Sequence, residues 1–124
     1  MMRKEEHSLD KPARLASCGK PPAGVRMALL DEEGVQVSPG EIGEVCIRSE
    51  AVMRGYWKRP QQTAETLAGG WLHTGDLGYQ DEEGFYYLVD RAKDMIISGG
   101  FNVYPREVED VLTAHPGVAL AAVI

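Results

Sequence analysis

Positive charge is the scarcer sign in these 124 residues: 13 Lys and Arg stand against 19 Asp and Glu, a formal net charge of −6. With no cationic excess to displace counterions from phosphates, a sequence-independent nucleic-acid binder is excluded and no nucleic-acid partner is expected. Long apolar runs are missing as well. Nothing approaches the roughly 20 residues that a membrane span needs, and the opening Met1 to His7 has no apolar signal-peptide core, so a cytoplasmic chain without a transmembrane segment is expected. Cysteine is limited to Cys18 and Cys46, with no Cys-x-x-Cys pair and no histidine at ligand spacing. Reduced thiols follow, and no structural metal is expected. What remains is ordinary: 44% hydrophobic and 26% charged residues argue against a disordered or fibrous chain and suit one modest globular domain at most.

Residues 1–24 are polar and carry Pro12, Pro21, Pro22, Gly19 and Gly24, which reads as an arm or extended connector rather than a packed element. Residues 25–30 then have strand chemistry, Asp31-Glu32-Glu33-Gly34 is a turn and residues 35–37 are a short return, together a hairpin. After a second turn at 38–41, residues 42–48 resume strand alternation with Val45 and Ile47 on one face. The Asp-Glu-Glu-Gly turn recurs at 81–84 ahead of an aromatic strand at 85–89; this is shared hairpin grammar, not a repeat architecture. Pro60 to Leu67 predicts a short helix stopped by Gly69-Gly70. Residues 95–97 and 101–104 read as strands, the first of them buried, on either side of the tight Ser98-Gly99-Gly100 loop. Pro105 opens an amphipathic helix. Its acidic residues Glu107, Glu109 and Asp110 lie near the positive end of the dipole, and Val108, Val111 and Leu112 recur at i, i+3, i+4. Residues 118–124 are apolar and uncharged, the pattern of a central strand; a chain stopping inside such a strand reads as cut, because a buried strand needs neighbours.

Three short segments have the residue types for chemistry. In His73-Thr74-Gly75-Asp76 a strand leads into a glycine-bracketed turn. Asp76 there is either an Asx-type backbone cap, the commoner use, or an acceptor that presents both oxygens to the vicinal hydroxyls of a ribose. Asp90-Arg91-Ala92-Lys93-Asp94 is either a solvated charged face, again the commoner case, or a flexible crossing between two packed units with Arg91 aimed at a hydroxyl or phosphate. Ser98-Gly99-Gly100 is either a plain hairpin turn or a place where a ligand approaches the backbone closely. It lacks the GxxxxGK[ST] pattern of a phosphate loop. His7, His73 and His115 are scattered and no GxSxG is present, so no nucleophile triad is assigned. His73 reads as a strand-edge histidine satisfied by hydrogen bonds rather than as an acid or base. Tyr56, Trp57, Trp71, Tyr86 and Tyr87 are expected to fill a core or an interface.

Taken together and in order, Gly-Glu-Ile-Gly-Glu at 40–44, Val-Met-Arg-Gly-Tyr-Trp at 52–57, Gly-Trp-Leu-His-Thr-Gly-Asp-Leu at 70–77, Asp-Arg-Ala-Lys-Asp-Met-Ile at 90–96 and the run Gly99 to Glu109 resemble the acyl-CoA synthetase branch of the adenylate-forming (AMP-binding) superfamily. The resemblance covers the chain from Leu15 onward. It implies an α+β fold: an antiparallel β-rich subdomain, a portion of a distorted barrel, closing the large domain at 1–91, then the hairpin, helix and strand that open a small α+β domain at 92–124. It implies a ligase in which a carboxylic acid of fatty-acid type reacts with ATP to an acyl-adenylate and pyrophosphate, after which CoA displaces AMP. By matching positions, Asp76 and Arg91 would bind the nucleotide ribose. Lys93 would be the hinge of the small domain, and Ser98, Gly99 and Gly100 would lie along the pantetheine of CoA. ATP or AMP, CoA and Mg2+ are the implied cofactors, with no Mg2+ ligand in this chain. The family's phosphate loop and acyl pocket would precede residue 1 and its catalytic lysine would follow Ile124. These 124 residues alone are therefore expected to lack the full electrostatic machinery for adenylation and to be inactive. Unpaired strand edges in such a piece can be repaired by a second copy, as a homodimer or by strand exchange. Two other readings stand beside this one: a noncatalytic β-rich binding module, and an amino-acid-activating domain of a peptide synthetase, to which residues 101–105 are less similar.

Overall fold

A computed structural model describes Met2, Glu6, His7 and residues 10–124; the remainder of the expected 1–24 arm lies outside the described residues. The fold is α+β. Four antiparallel strands form one sheet in the order β1 (Val25–Leu30), β2 (Gly43–Ser49), β3 (Leu72–Gln80) and β4 (Tyr86–Arg91), with helix α1 (Pro60–Thr66) between β2 and β3. A two-stranded sheet, β5 (Ile96–Ser98) and β6 (Phe101–Val103), and helix α2 (Pro105–Thr113) follow. No closed barrel is formed among the described residues, and none of their helices is long and apolar enough to cross a membrane.

The two Asp-Glu-Glu-Gly turns fold alike, as their shared sequence requires. Asp31 Oδ1 accepts from Val35 N at 2.7 Å and Asp81 Oδ1 from Phe85 N at 2.9 Å. The amides of Asp31 and Asp81 donate in return to the carbonyls of Val35 and Phe85, both at 2.9 Å. The carboxylate holds the loop closed from inside while the backbone closes it from outside. The first hairpin returns less far than its sequence suggests: residues 35–37 make a single bridge, Leu30 with Gln36, rather than a strand.

The core sits on both faces of the sheet. Ala28, Leu30 and Cys46 pack with Trp71 on one side; Leu29, Val45 and Tyr86 pack with Met27 and Val37 on the other. Adjacent residues of β1 and β2 are therefore buried together, and the alternation expected of a one-sided sheet is weak there. Residues 10–24 are mostly exposed, but part of the segment is tied to the sheet. Ser17 Oγ donates to Tyr86 O at 2.7 Å, Cys18 N to the same carbonyl at 3.0 Å, and Tyr86 N to Gly19 O at 3.0 Å. Lys11 and Arg14 both pair with Glu83, and Arg14 stacks 4.4 Å over the Phe85 ring. The segment covers the start of β4, whose outer edge would otherwise present unpaired backbone groups.

Three further expectations differ from the structure, those for residues 95–97, residues 118–124 and Trp57, whereas α2 forms as expected. The strand at 95–97 was expected to be buried, yet Ile97 is 70% exposed and Phe101 of its partner is 76% exposed, because β5 and β6 pair only with each other. Residues 118–124 form no strand; no neighbouring strand offers them a ladder, and Val123 N donates to Glu109 Oε1 at 3.0 Å. The apolar stripe of α2 is half uncovered, with Val111 75% exposed. Trp57 does not fill a core: it is 86% exposed on the loop before α1. Tyr86 and Trp71 do pack as expected, and Tyr87 stacks on Tyr79 with centroids 4.9 Å apart.

Candidate functional site

The segment His73-Thr74-Gly75-Asp76 does not end its strand. β3 runs on to Gln80, and the extra length is absorbed as a bulge: Cys46 pairs with His73 and Glu44 with Leu77, so Val45 alone faces Thr74, Gly75 and Asp76. Gly75 holds φ +74°, a left-handed conformation that a side chain would strain. A bulge re-aims the side chain it carries, and here side-chain hydrogen bonds hold its backbone in place. Thr74 Oγ1 donates to Val45 O at 2.8 Å and accepts from Asp76 N at 3.1 Å. Gly75 N donates to Glu44 Oε1 at 2.8 Å. The other oxygen of that carboxylate, Oε2, lies 2.7 Å from His73 Nδ1; since a carboxylate only accepts, Nδ1 is the protonated nitrogen. His73 is thus the hydrogen-bonded strand residue expected.

Asp76 faces Arg91 directly across the β3–β4 ladder, and Arg91 Nε donates to Asp76 Oδ1 at 3.0 Å. Both side chains are open to solvent, more than half of Arg91 and about a third of Asp76, so a ligand can reach them. The second oxygen of Asp76 and the remaining guanidinium donors are available to a group that both accepts and donates, such as a diol. The neighbouring carboxylate does something different. Asp90 Oδ1 accepts from Arg91 N at 2.8 Å and Oδ2 from Arg106 N at 3.1 Å. Arg106 lies in the first turn of α2, whose own N-cap residue, Tyr104, supplies no side-chain cap. Asp90 therefore caps α2 from the end of β4, an anion at the positive end of a helix dipole.

Lys93 lies exposed in a single 3-10 turn, Ala92–Asp94, that joins β4 to β5. Ser98, Gly99 and Gly100 form the exposed β5–β6 turn, with Gly99 and Gly100 at φ +59° and +84°. The structure brings Asp76 and Arg91 together, and Lys93 follows Arg91 by two residues in a turn that contacts β3. A cleft of about 380 Å3 lies between the β2–β3 end of the large sheet, at Gly43, Glu44 and Leu77, and the second unit, at Ala92, Met95 and Tyr104.

Behind the bulge, Cys46 Sγ lies 3.5 Å from His73 Nδ1. Its thiol pKa is pushed up from 9.0 to about 11, first by burial and then by the charge of Glu44, so it is a proton-retaining, unreactive thiol at neutral pH. Both cysteines are free. Sequence reasoning missed the two carboxylates that organise this region, Glu44 and Asp90. Each sat inside a quoted motif, but what they hold, a bulge and a helix end, becomes visible only with the pairing register.

Residues 5–57 match the family described as AMP-binding enzyme. The chain is 56% identical over 111 residues to the medium/long-chain fatty-acid–CoA ligase FadD8 of Mycobacterium tuberculosis, covering 90% of this chain and 19% of that protein. It is similar in structure to the amide bond synthetase McbA of Marinactinospora thermotolerans, at 47% identity and TM-score 0.81 over 89% of this chain and 23% of that one. It is similar also to the o-succinylbenzoate–CoA synthetase MenE of Bacillus subtilis in complex with its acyl-adenylate intermediate, at 44% identity and TM-score 0.82 over 90% and 23%. The match to the AMP-binding family covers less than half of the chain, and the chain spans about a fifth of the length of the curated relatives it matches.

Proposed function

We propose that these residues are the ribose-gripping and hinge-bearing part of an AMP-forming acid–CoA ligase. The observation that carries this reading is the Asp76–Arg91 pair, face to face across the β3–β4 ladder beside a bulge that side-chain hydrogen bonds hold in place. A ribose presents two adjacent hydroxyls. Asp76 accepts from them and Arg91 donates to them, so one ligand edge satisfies both side chains while their mutual contact is retained or exchanged. Such a grip orients the α-phosphate for attack by a carboxylate and contributes positioning rather than proton transfer. Magnesium is a hard ion that takes oxygen ligands, and no residue of this chain is assigned to it; it belongs with the triphosphate, whose cradle we place outside these residues. On the same reading, these 124 residues alone do not complete the adenylation reaction.

Lys93 is proposed as the hinge and Ser98, Gly99 and Gly100 as the segment beside pantetheine. The short connector at 92–94 and the exposed, glycine-rich turn that follows suit those roles. A fatty acid as the carboxylate substrate rests on relatives such as the mycobacterial fatty-acid–CoA ligase. The test is a split of half-reactions in the ligase that carries this segment. Asp76→Ala and Arg91→Ala lower ATP–pyrophosphate exchange, whereas Lys93→Pro leaves exchange intact and blocks thioester formation. Equal loss of both half-reactions in Lys93→Pro would contradict the hinge, and unchanged exchange in Asp76→Ala would contradict the ribose grip.

A further inference from the structure

We infer that Glu44, Cys46 and His73 form a binding site for a thiophilic divalent cation of the zinc type, set into the β2–β3 ladder behind the Asp76 bulge. One donor atom from each residue lies within 4.8 Å of the other two. The arrangement is imposed by the sheet: Cys46 and His73 are register partners, and Glu44 sits two residues along β2 across the bulge. The donor set is thiol, imidazole and carboxylate, the mixed N/S/O set that zinc takes and magnesium does not.

The geometry is close to that of a bound ion. With zinc bonds of about 2.0–2.3 Å, two ligands of a tetrahedral site stand roughly 3.3–3.8 Å apart. Cys46 Sγ and His73 Nδ1 are already 3.5 Å apart; Glu44 Oε2, now 2.7 Å from Nδ1 in a hydrogen bond, has only to draw back by part of an ångström. His73 and Glu44 are each about a quarter exposed, so an ion enters from their side and keeps a fourth position for water, while Cys46 is fully enclosed and closes the back. Binding exchanges protons as well as ligands. The thiol proton leaves to solvent as the sulfur–metal bond forms, and the imidazole stays neutral by carrying its proton on Nε2 while Nδ1 ligates. The carboxylate beside the thiol makes an isolated thiolate unfavourable and a cation there favourable for the same reason, its negative charge.

The test uses the chain as it stands, titrated with Co2+ and followed by the thiolate-to-cobalt charge-transfer absorption, with Zn2+ competition and circular dichroism of every variant. The expected result is one thiolate-ligated ion per chain, displaced by Zn2+. The band disappears in Cys46→Ala and persists in Cys18→Ala. His73→Gln, which spares the core, weakens binding by at least about tenfold, the lower end of what even outer-shell contacts do to metal affinity. No band with the unaltered chain, a band that survives Cys46→Ala, a band lost in Cys18→Ala, or unchanged affinity in His73→Gln would each overturn the proposal.

Discussion

Removing the carboxylate of Glu44 tests whether the bulge that carries Asp76 is held by one side chain. In Glu44→Ala, Gly75 N and His73 Nδ1 lose acceptors at 2.8 and 2.7 Å. A hydrogen bond to a charged group contributes about 1.5–3 kcal/mol, and an abandoned half-buried donor costs a comparable amount unless water reaches it. The side chains of Glu44 and His73 are each about a quarter exposed, so water recovers part of this, and the expected loss is about 2–3 kcal/mol. With a urea slope of about 2 kcal/mol per molar for a domain of this size, the unfolding midpoint falls by roughly 1–1.5 M. Glu44→Gln keeps a carbonyl for one donor and loses about half as much. The assay is urea denaturation of the chain followed by circular dichroism in chelator-containing buffer, with amide exchange at Gly75 as the local readout. Exchange at Gly75 rises in Glu44→Ala before the sheet as a whole opens. A midpoint within about 0.2 M of the unaltered chain, with Gly75 still protected, would refute the clamp.

The thiols should separate cleanly: at pH 8 a disulfide reagent modifies the exposed Cys18, whereas Cys46 reacts only on unfolding, as judged by mass spectrometry. Because the folded-state pKa of Cys46 is raised to about 11, the unfolded chain gives up that proton first. Stability is full below pH 9 and falls through the window from 9 to 11, by roughly 2–3 kcal/mol, and Cys46→Ala flattens that part of the profile in a pH series of urea midpoints. Asp90→Ala removes the acceptor from Arg106 N, so α2 loses about 1 kcal/mol and amide exchange rises at residues 106–108 while β1 to β3 stay protected. Gly78→Ala would place a Cβ 2.4 Å from Tyr87 O, against backbone that cannot yield; a loss of about 2–3 kcal/mol is expected, read as a drop in the melting temperature.

How much of this was legible beforehand depends on the range of the interaction. The Asp-Glu-Glu-Gly turns, the proline-started helices α1 and α2 and the glycine-turned β5–β6 pair are specified by residues within a few positions of each other, and the sequence pattern shows them. The order of motifs pointed to the superfamily. Long-range placement was not legible. Ser17 to Gly19 look like linker, yet they pair with Tyr86, a contact that no local pattern encodes. Residues 118–124 look like a core strand, yet strand formation requires an edge to pair with, and apolar composition cannot supply one. At the site, Asp76 and Arg91 stood out by residue type. The bulge that aims Asp76 depends on β2 and β3 running different lengths between shared pairs, a property of two segments at once. Cys46 and His73 illustrate the same limit: distant in sequence, they are direct neighbours across the ladder.

The central claim is that Asp76 and Arg91 together grip a ribose, and amide chemical shifts of the labelled chain, titrated with AMP and with its 2′,3′-dideoxy counterpart, test it most directly. AMP should move the resonances of Gly75, Asp76 and Arg91, an effect lost in Asp76→Ala, while the dideoxy nucleotide leaves them in place. Equal shifts with both nucleotides, or none with AMP, would contradict the assignment.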